Sequence, residues 1–111
     1  MKNFVSNQWL PSSTGRTFNN LNLADATDVI GAFPLSSAED VADAVDAASA
    51  AYKQWRLLPA PKRGDILRVA GDIFTRRKDE LAAIMTREMG KTLAETKGDI
   101  QEAIDTCYYA A

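Results

Sequence analysis

One joint constrains this chain more than any other stretch. An apolar helical pattern runs into Met85-Thr86-Arg87-Glu88-Met89, stops at Gly90, and a new one starts at Thr92. Glycine at such a break suits the left-handed residue that ends a helix. Thr92 with Glu95 three residues on has the spacing of a capping box, in which the hydroxyl accepts from a free N–H and the carboxylate reaches back. The stretch therefore predicts a helix–glycine–helix joint. Gly90-Lys91-Thr92 is also the last third of a phosphate-binding P-loop. That motif needs a glycine where Met85 stands, and a strand where the helical pattern runs in, so the joint is the better reading.

Working outward from the joint, Phe4 to Leu10 has strand composition, Pro11-Ser12-Ser13-Thr14-Gly15 is a turn cluster, and Thr17-Phe18 starts a second strand. Residues 4–22 thus read as one β-hairpin. Ala24 to Asp28 reads as a polar loop, and Val29 to Pro34 as a third short strand, with Pro34 marking its end or an edge position. Ser36 or Ser37 opens a helix, with Glu39 as the capping partner of Ser36. Val41, Val45, Ala48, Tyr52 and Trp55 recur at helical steps and read as one buried stripe, which Pro59 stops.

Pro61 suits the first turn of a second helix, with Ile66, Leu67, Ala70, Ile73 and Phe74 as its apolar face. Asp79 reads as the cap of a third helix carrying Leu81, Ile84, Met85 and Met89. A fourth, from Thr92, places Leu93, Ile100, Ile104, Cys107 and Ala111 on one side, with Gly98 inside it as a point of close backbone approach. The expected domain organisation is strands over 1–35 and a helical part over 36–111.

Composition excludes several function classes. The net charge is −2, which gives no footprint for nucleic acid or an anionic membrane. Arg76-Arg77-Lys78 is the one basic run. It sits at a helix C-terminus, where cations complement the dipole, and no aromatic residues interleave with it. There is no histidine, so the commonest general base and metal ligand is missing. The single cysteine excludes an internal disulfide and suits a reducing compartment. With no signal peptide or membrane-length apolar run in view, a cytosolic location is expected.

Cys107 falls deep in a helix near its C-terminal end, where the dipole opposes a thiolate. It reads as a structural thiol, not a nucleophile. Trp9 and Trp55 sit in apolar patterns and read as core. No Gly-x-Gly-x-x-Gly turn occurs anywhere.

Four pieces, in this order and at these spacings, carry a resemblance: Pro59-Ala60-Pro61-Lys62-Arg63, Asp79-Glu80-Leu81-Ala82, Arg87-Glu88-Met89-Gly90-Lys91 and Cys107-Tyr108-Tyr109-Ala110. They resemble the N-terminal quarter of the NAD(P)-dependent aldehyde dehydrogenases, over about Phe4 to Ala111. The resemblance implies an α/β family fold of three domains. Of this the chain would be a short hairpin and third strand followed by about four helices, mostly α, belonging to the cofactor domain and wrapped round its doubly wound core.

It implies oxidation of an aldehyde or semialdehyde to the carboxylate with NAD or NADP. A cysteine thiolate adds to the carbonyl, hydride passes to the cofactor, and water releases the thioester. In the family the cysteine nucleophile, the glutamate base, the oxyanion-holding asparagine and the ribose-binding lysine and glutamate all lie downstream of position 111. The expected catalytic, cofactor-binding and metal residues of this chain are therefore none, and the 111-residue chain alone is expected to be inactive. A homo-oligomer is implied for the complete enzyme, with the rest of the polypeptide and an aldehyde as partners and neither nucleic acid nor membrane.

Asp99 is the one position with an implied ligand role. In some family members an aspartate here helps bind a monovalent cation with backbone carbonyls that would belong to Asn20 and Leu21. This chain has Asn22-Leu23-Ala24-Asp25 where the family usually has Asn-Pro, and the residues themselves read Asp99 as solvated or helix-capping.

The alternative is a free-standing helical interaction module without catalysis, docking a partner helix on its exposed stripes. On the fragment reading, the stripe through Ile100, Ile104, Cys107 and Ala111 is the face expected to lie open, and the isolated chain is expected to be helical, loosely packed and self-associating.

Overall fold

A computed structural model describes residues 1–111 as two short hairpins followed by four helices: β1 (Asn3–Val5), β2 (Gln8–Leu10), β3 (Thr17–Asn22), β4 (Asp25–Pro34), α1 (Ala38–Trp55), α2 (Ala60–Arg76), α3 (Lys78–Met89) and α4 (Leu93–Tyr109). The chain divides into two units. Met1–Leu21 with Ala26–Leu57 form the first, and Asn22–Asp25 with Leu58–Ala111 the second.

The strand pairing corrects the single hairpin expected over 4–22. β1 pairs with β2 in antiparallel register, Phe4 opposite Trp9, and β3 pairs with β4 in a separate two-stranded sheet. The reason is the pair Ser6-Asn7, both at positive φ (51° and 62°). Two successive left-handed residues make the turn whose twist matches a hairpin, and asparagine tolerates that conformation. Strand composition across 4–10 hid the turn.

The stretch expected as a loop from Ala24 to Asp28 is mostly strand: only Leu23 and Ala24 separate β3 from β4. So short a link joins strands only in the antiparallel sense. Residues 11–15 are a turn, closed by Gly15 N–H on the Ser12 carbonyl, that links the two hairpins instead of lying inside one.

In the first unit, the start of α1 is tied to that turn. The cap is Ser37, and its partner is Asp40 in place of Glu39. Asp40 N–H donates to Ser37 Oγ at 3.1 Å, and Ser37 N–H donates to Asp40 Oδ2 at 2.7 Å. Ser13 N–H donates to Asp40 Oδ1 at 2.9 Å, and the buried Ser12 hydroxyl to Oδ2 at 2.9 Å. These donors, Ser37 N–H first, hold the Asp40 carboxyl well below the usual carboxylate range.

The apolar stripe of α1 is a second correction. The helix has no buried residue, and Val41 and Val45 are 58% and 57% exposed. Its periodicity is helical as expected. Burial is not a property of periodicity alone, and within this chain nothing covers that face. Trp9, expected in the core, is 65% exposed and leans on Phe4 with ring centroids 4.8 Å apart. Trp55 is 40% exposed.

In the second unit, α4 packs against both α2 and α3. The core is Ala82, Ile100 and Ile104, with Phe74, Leu81 and Met85 around it. Thr96 is fully buried and satisfied, its Oγ1 2.9 Å from Thr86 Oγ1 across the α3–α4 contact. Ile100 and Ile104 therefore face inward, against the expectation that this stripe lies open. Only Leu93, at the helix start, and Ala111, past its end, are exposed, and Cys107 is half-buried.

The α2–α4 approach depends on glycines in α2. Gly64 lies against the Ala111 carbonyl. A methyl added at Gly71 would sit 3.0 Å from the Tyr108 ring and 3.3 Å from Cys107 Cβ. Gly98, expected to allow such an approach, faces open space instead. Asp79 does not cap α3: Arg77 holds that place without a side-chain cap bond, and Asp79 pairs with Lys97 of α4 at 2.8 Å.

Three outcomes test this description. Ile104→Ala should destabilise the chain by about 3 kcal/mol, while Val45→Ala should change it by less than about 0.5 kcal/mol. Comparable losses in a urea melt contradict the burial pattern. Thr92→Ala should cost about 1 kcal/mol and Thr92→Ser very little. Asp40 supplies stability that is present above its unfolded value, near pH 4, and lost as pH falls toward the depressed folded value. Between pH 6 and pH 2 the thermal midpoint should therefore fall less steeply in Asp40→Asn than in the parent chain. Equal slopes contradict the clamp.

Candidate functional site

The residues singled out by sequence gather mainly at the α3–α4 joint, and their geometry there is local. Gly90 ends α3 in the left-handed conformation, φ 75°, with its N–H on the Thr86 carbonyl at 3.0 Å. Thr92 and Glu95 form the expected box: Thr92 N–H donates to Glu95 Oε2 at 3.0 Å, and Glu95 N–H to Thr92 Oγ1 at 3.4 Å. The bonds from the Thr92 hydroxyl and N–H lower the Glu95 carboxyl from its ordinary value. Leu23, at the tip of the second hairpin, packs close to Gly90 within the same unit. A helix leads into this glycine, so Gly90-Lys91-Thr92 has the geometry of a joint and not of a phosphate loop.

Lys91 Nζ donates to Asp99 Oδ2 at 2.7 Å, and this hydrogen bond raises the lysine above its ordinary value. Asp99 is thus neither capping nor freely solvated, as the residues alone had it. It is the anionic half of a surface pair, of a kind worth under about 1 kcal/mol. Asn20 and Leu21, the other two positions of the implied cation site, lie in β3.

Cys107 is half-buried on α4 with its Cβ at the α2–α4 crossing beside Gly71. That is a packing position. Next to it, Tyr108 Oη donates to Asp72 Oδ1 at 2.7 Å, tying α4 to α2 from the outside. The basic run at 76–78 is spoken for in part: Arg77 forks onto Glu80 at 2.9 and 2.7 Å, and Lys78 reaches Gln101 at 2.7 Å.

Sequence reasoning missed the two features that position these side chains. One is Gly64 and Gly71 in α2, seven residues apart and so on one helix face, a spacing that was there to be seen. The other is the Ser12–Ser13–Asp40 clamp, whose members are far apart in sequence and carry no shared signal.

Known proteins share this pattern. Residues 9–111 match the Aldehyde dehydrogenase family. The alpha-ketoglutarate semialdehyde dehydrogenase of Haloferax volcanii is 46% identical over 108 residues, covering 97% of this chain and 22% of its own length. Among solved structures, an E. coli NADP-dependent enzyme superposes with TM-score 0.92 at 34% identity, over 97% of this chain and 22% of its own. A betaine aldehyde dehydrogenase of Staphylococcus aureus in complex with NAD+ does so with TM-score 0.92 at 25% identity, again over 97% and 22%. The chain therefore spans about a fifth of the length of these relatives, and its backbone superposes on the solved ones over nearly its whole length. By sequence and backbone alike, the chain belongs to the aldehyde dehydrogenase family.

Proposed function

We propose that this chain is one part of a longer NAD(P)-dependent aldehyde dehydrogenase, which oxidises an aldehyde or semialdehyde to the carboxylate, and that its role there is scaffold. The observation that carries this reading is the agreement of nearly the whole chain with about a fifth of several such enzymes, in sequence and in backbone. The semialdehyde preference is supported by the name of the Haloferax volcanii relative, and the choice of NAD or NADP stays open between the two solved neighbours.

In this reading 1–35 supplies strands and 36–111 the helical part of the cofactor domain. The complete enzyme is a cytosolic homo-oligomer without nucleic-acid or membrane partners. No helix of the chain is long and apolar enough to cross a membrane.

The helix starts of this chain support a scaffold role over dinucleotide binding, and the start of α3 carries Asp79 and Glu80 in its first turn. Its phosphates bind where helix N-termini offer free N–H groups. Here the starts of α1 and α4 are filled by the carboxylates of Asp40 and Glu95, which would repel a phosphate. The start of α2 has Pro59 as its cap and Pro61 in its first turn, and a proline has no N–H to give. The lack of histidine supports the same role, and the carboxylates held low, Asp40, Asp79, Glu80 and Glu95, are poor proton acceptors near neutral pH. The free-standing module gives way to this reading, since family membership accounts for the hairpins as well as the helices.

The test is a side-by-side assay of the 111-residue chain and the longer enzyme with alpha-ketoglutarate semialdehyde and a panel of simple aldehydes, using NAD and NADP in turn. The longer enzyme should raise the reduced-cofactor absorbance and the 111-residue chain should not. Turnover by the 111-residue chain that survives repurification and disappears in Cys107→Ala would overturn the scaffold role. Lys91→Ala in the longer enzyme should leave the cofactor dissociation constant within about twofold. A loss of binding would return Gly90-Lys91-Thr92 to phosphate chemistry.

A further inference from the structure

The first unit contains a groove that its own residues do not fill. It runs between β1 and α1, has a volume of about 420 Å³, and is lined by Phe4, Val5, Val41, Ala44, Val45 and Ala48, with polar groups at one end. The polar end is already satisfied. Asn3 Nδ2 donates to Ser36 Oγ at 2.9 Å, and Asp40 is held by the Ser12, Ser13 and Ser37 donors. What remains open is apolar and uncharged. The face of α1 opposite the groove carries Glu39, Asp43 and Asp46, so the helix is sharply two-sided, yet its apolar side has no buried residue. Val41 and Val45 are more than half exposed, so burial that would stabilise a longer protein is left unused within this chain.

We propose that this groove seats an apolar helix from the remainder of the same longer polypeptide. The inference rests on the reading that the chain is part of a longer enzyme. Three features select that occupant. Ala44 and Ala48 stand one helical turn apart and form a low floor between Phe4 and the two valines. A ridge of side chains spaced four apart on another helix fits such a floor, because small residues let two helix axes approach. Apart from the clamped Asp40 at its polar end, the walls carry no charge, which selects an apolar partner surface over a polar peptide. Nearly all of this chain keeps the backbone it has within chains more than four times its length, so its open apolar face is available to the rest of such a chain. An extended peptide is the poorer fit, since β1 has only three residues to pair with it.

Thiol labelling tests this directly. Val45→Cys in the groove and Ala50→Cys on the opposite face of α1 are each made in the 111-residue chain and in the longer enzyme. A maleimide is added, and labelling of each position is followed by mass spectrometry of its peptide. Position 45 should label at least tenfold more slowly in the longer enzyme than in the 111-residue chain, while position 50 labels at the same rate in both. Equal rates at position 45 overturn the proposal. So does protection at position 45 that disappears when the enzyme is diluted to monomers, because the occupant is then a second copy. Aldehyde oxidation is measured on the same preparations. A longer chain that protects position 45 but oxidises no aldehyde upholds the groove and removes the enzymatic reading. An active enzyme with position 45 unprotected does the reverse.

Discussion

The structure of the second unit depends on how closely α4 can lie against α2 and α3. Its apolar core is small: Ala82, Ile100 and Ile104, backed by Phe74, Leu81 and Met85. Such a core works only at short range, because the dispersion contacts that add to burial fall off within an ångström of optimal distance. A methyl at Gly71 would press on the Tyr108 ring and Cys107, which would have to give by a few tenths of an ångström, and one at Gly64 would collide with the Ala111 carbonyl just past the end of α4. Around this contact the polar pairs add registration more than energy. Thr86 with Thr96 is the exception, since a buried hydroxyl without a partner would cost about 1–3 kcal/mol.

The first unit is built on a different principle. It has no buried apolar residue and is held by hydrogen bonds that converge on Asp40, together with two hairpins whose aromatic pairs, Phe4–Trp9 and Phe18–Phe33, are largely surface contacts. A carboxylate at a helix start answers the helix dipole and two backbone N–H groups at once, which fixes where α1 begins. It does not give α1 anything to pack on. One unit thus has a core and the other a clamp, and the apolar face of α1 stays open within this chain.

What could be read from sequence was what short-range chemistry decides. The cap at Gly90, the box at Thr92 and Glu95, and the four helical segments all follow from residues within a turn or two of each other. The hairpin pairing could not be read in the same way, because Ser6-Asn7 makes a turn without glycine or proline to announce it. Asp40 was passed over for Glu39 because Ser36 and Ser37 offer the same box one residue apart. Burial was the least legible. α1 and α4 show equally good helical stripes, yet only α4 has partners in this chain, and a stripe does not say what it faces. The family resemblance, in contrast, rested on an ordered series of short pieces and did not need the burial to be right.

Backbone hydrogen exchange followed by mass spectrometry tests this account most directly, since it reads local stability helix by helix. The account places the slowest amides in α4 around Ile100 and Ile104 and in α3 around Ala82, with those of α1 beyond its first, clamped turn exchanging markedly faster. Protection of α1 along its whole length equal to that of α4, in the 111-residue chain as a monomer, would contradict the division into a unit with a core and a unit without one.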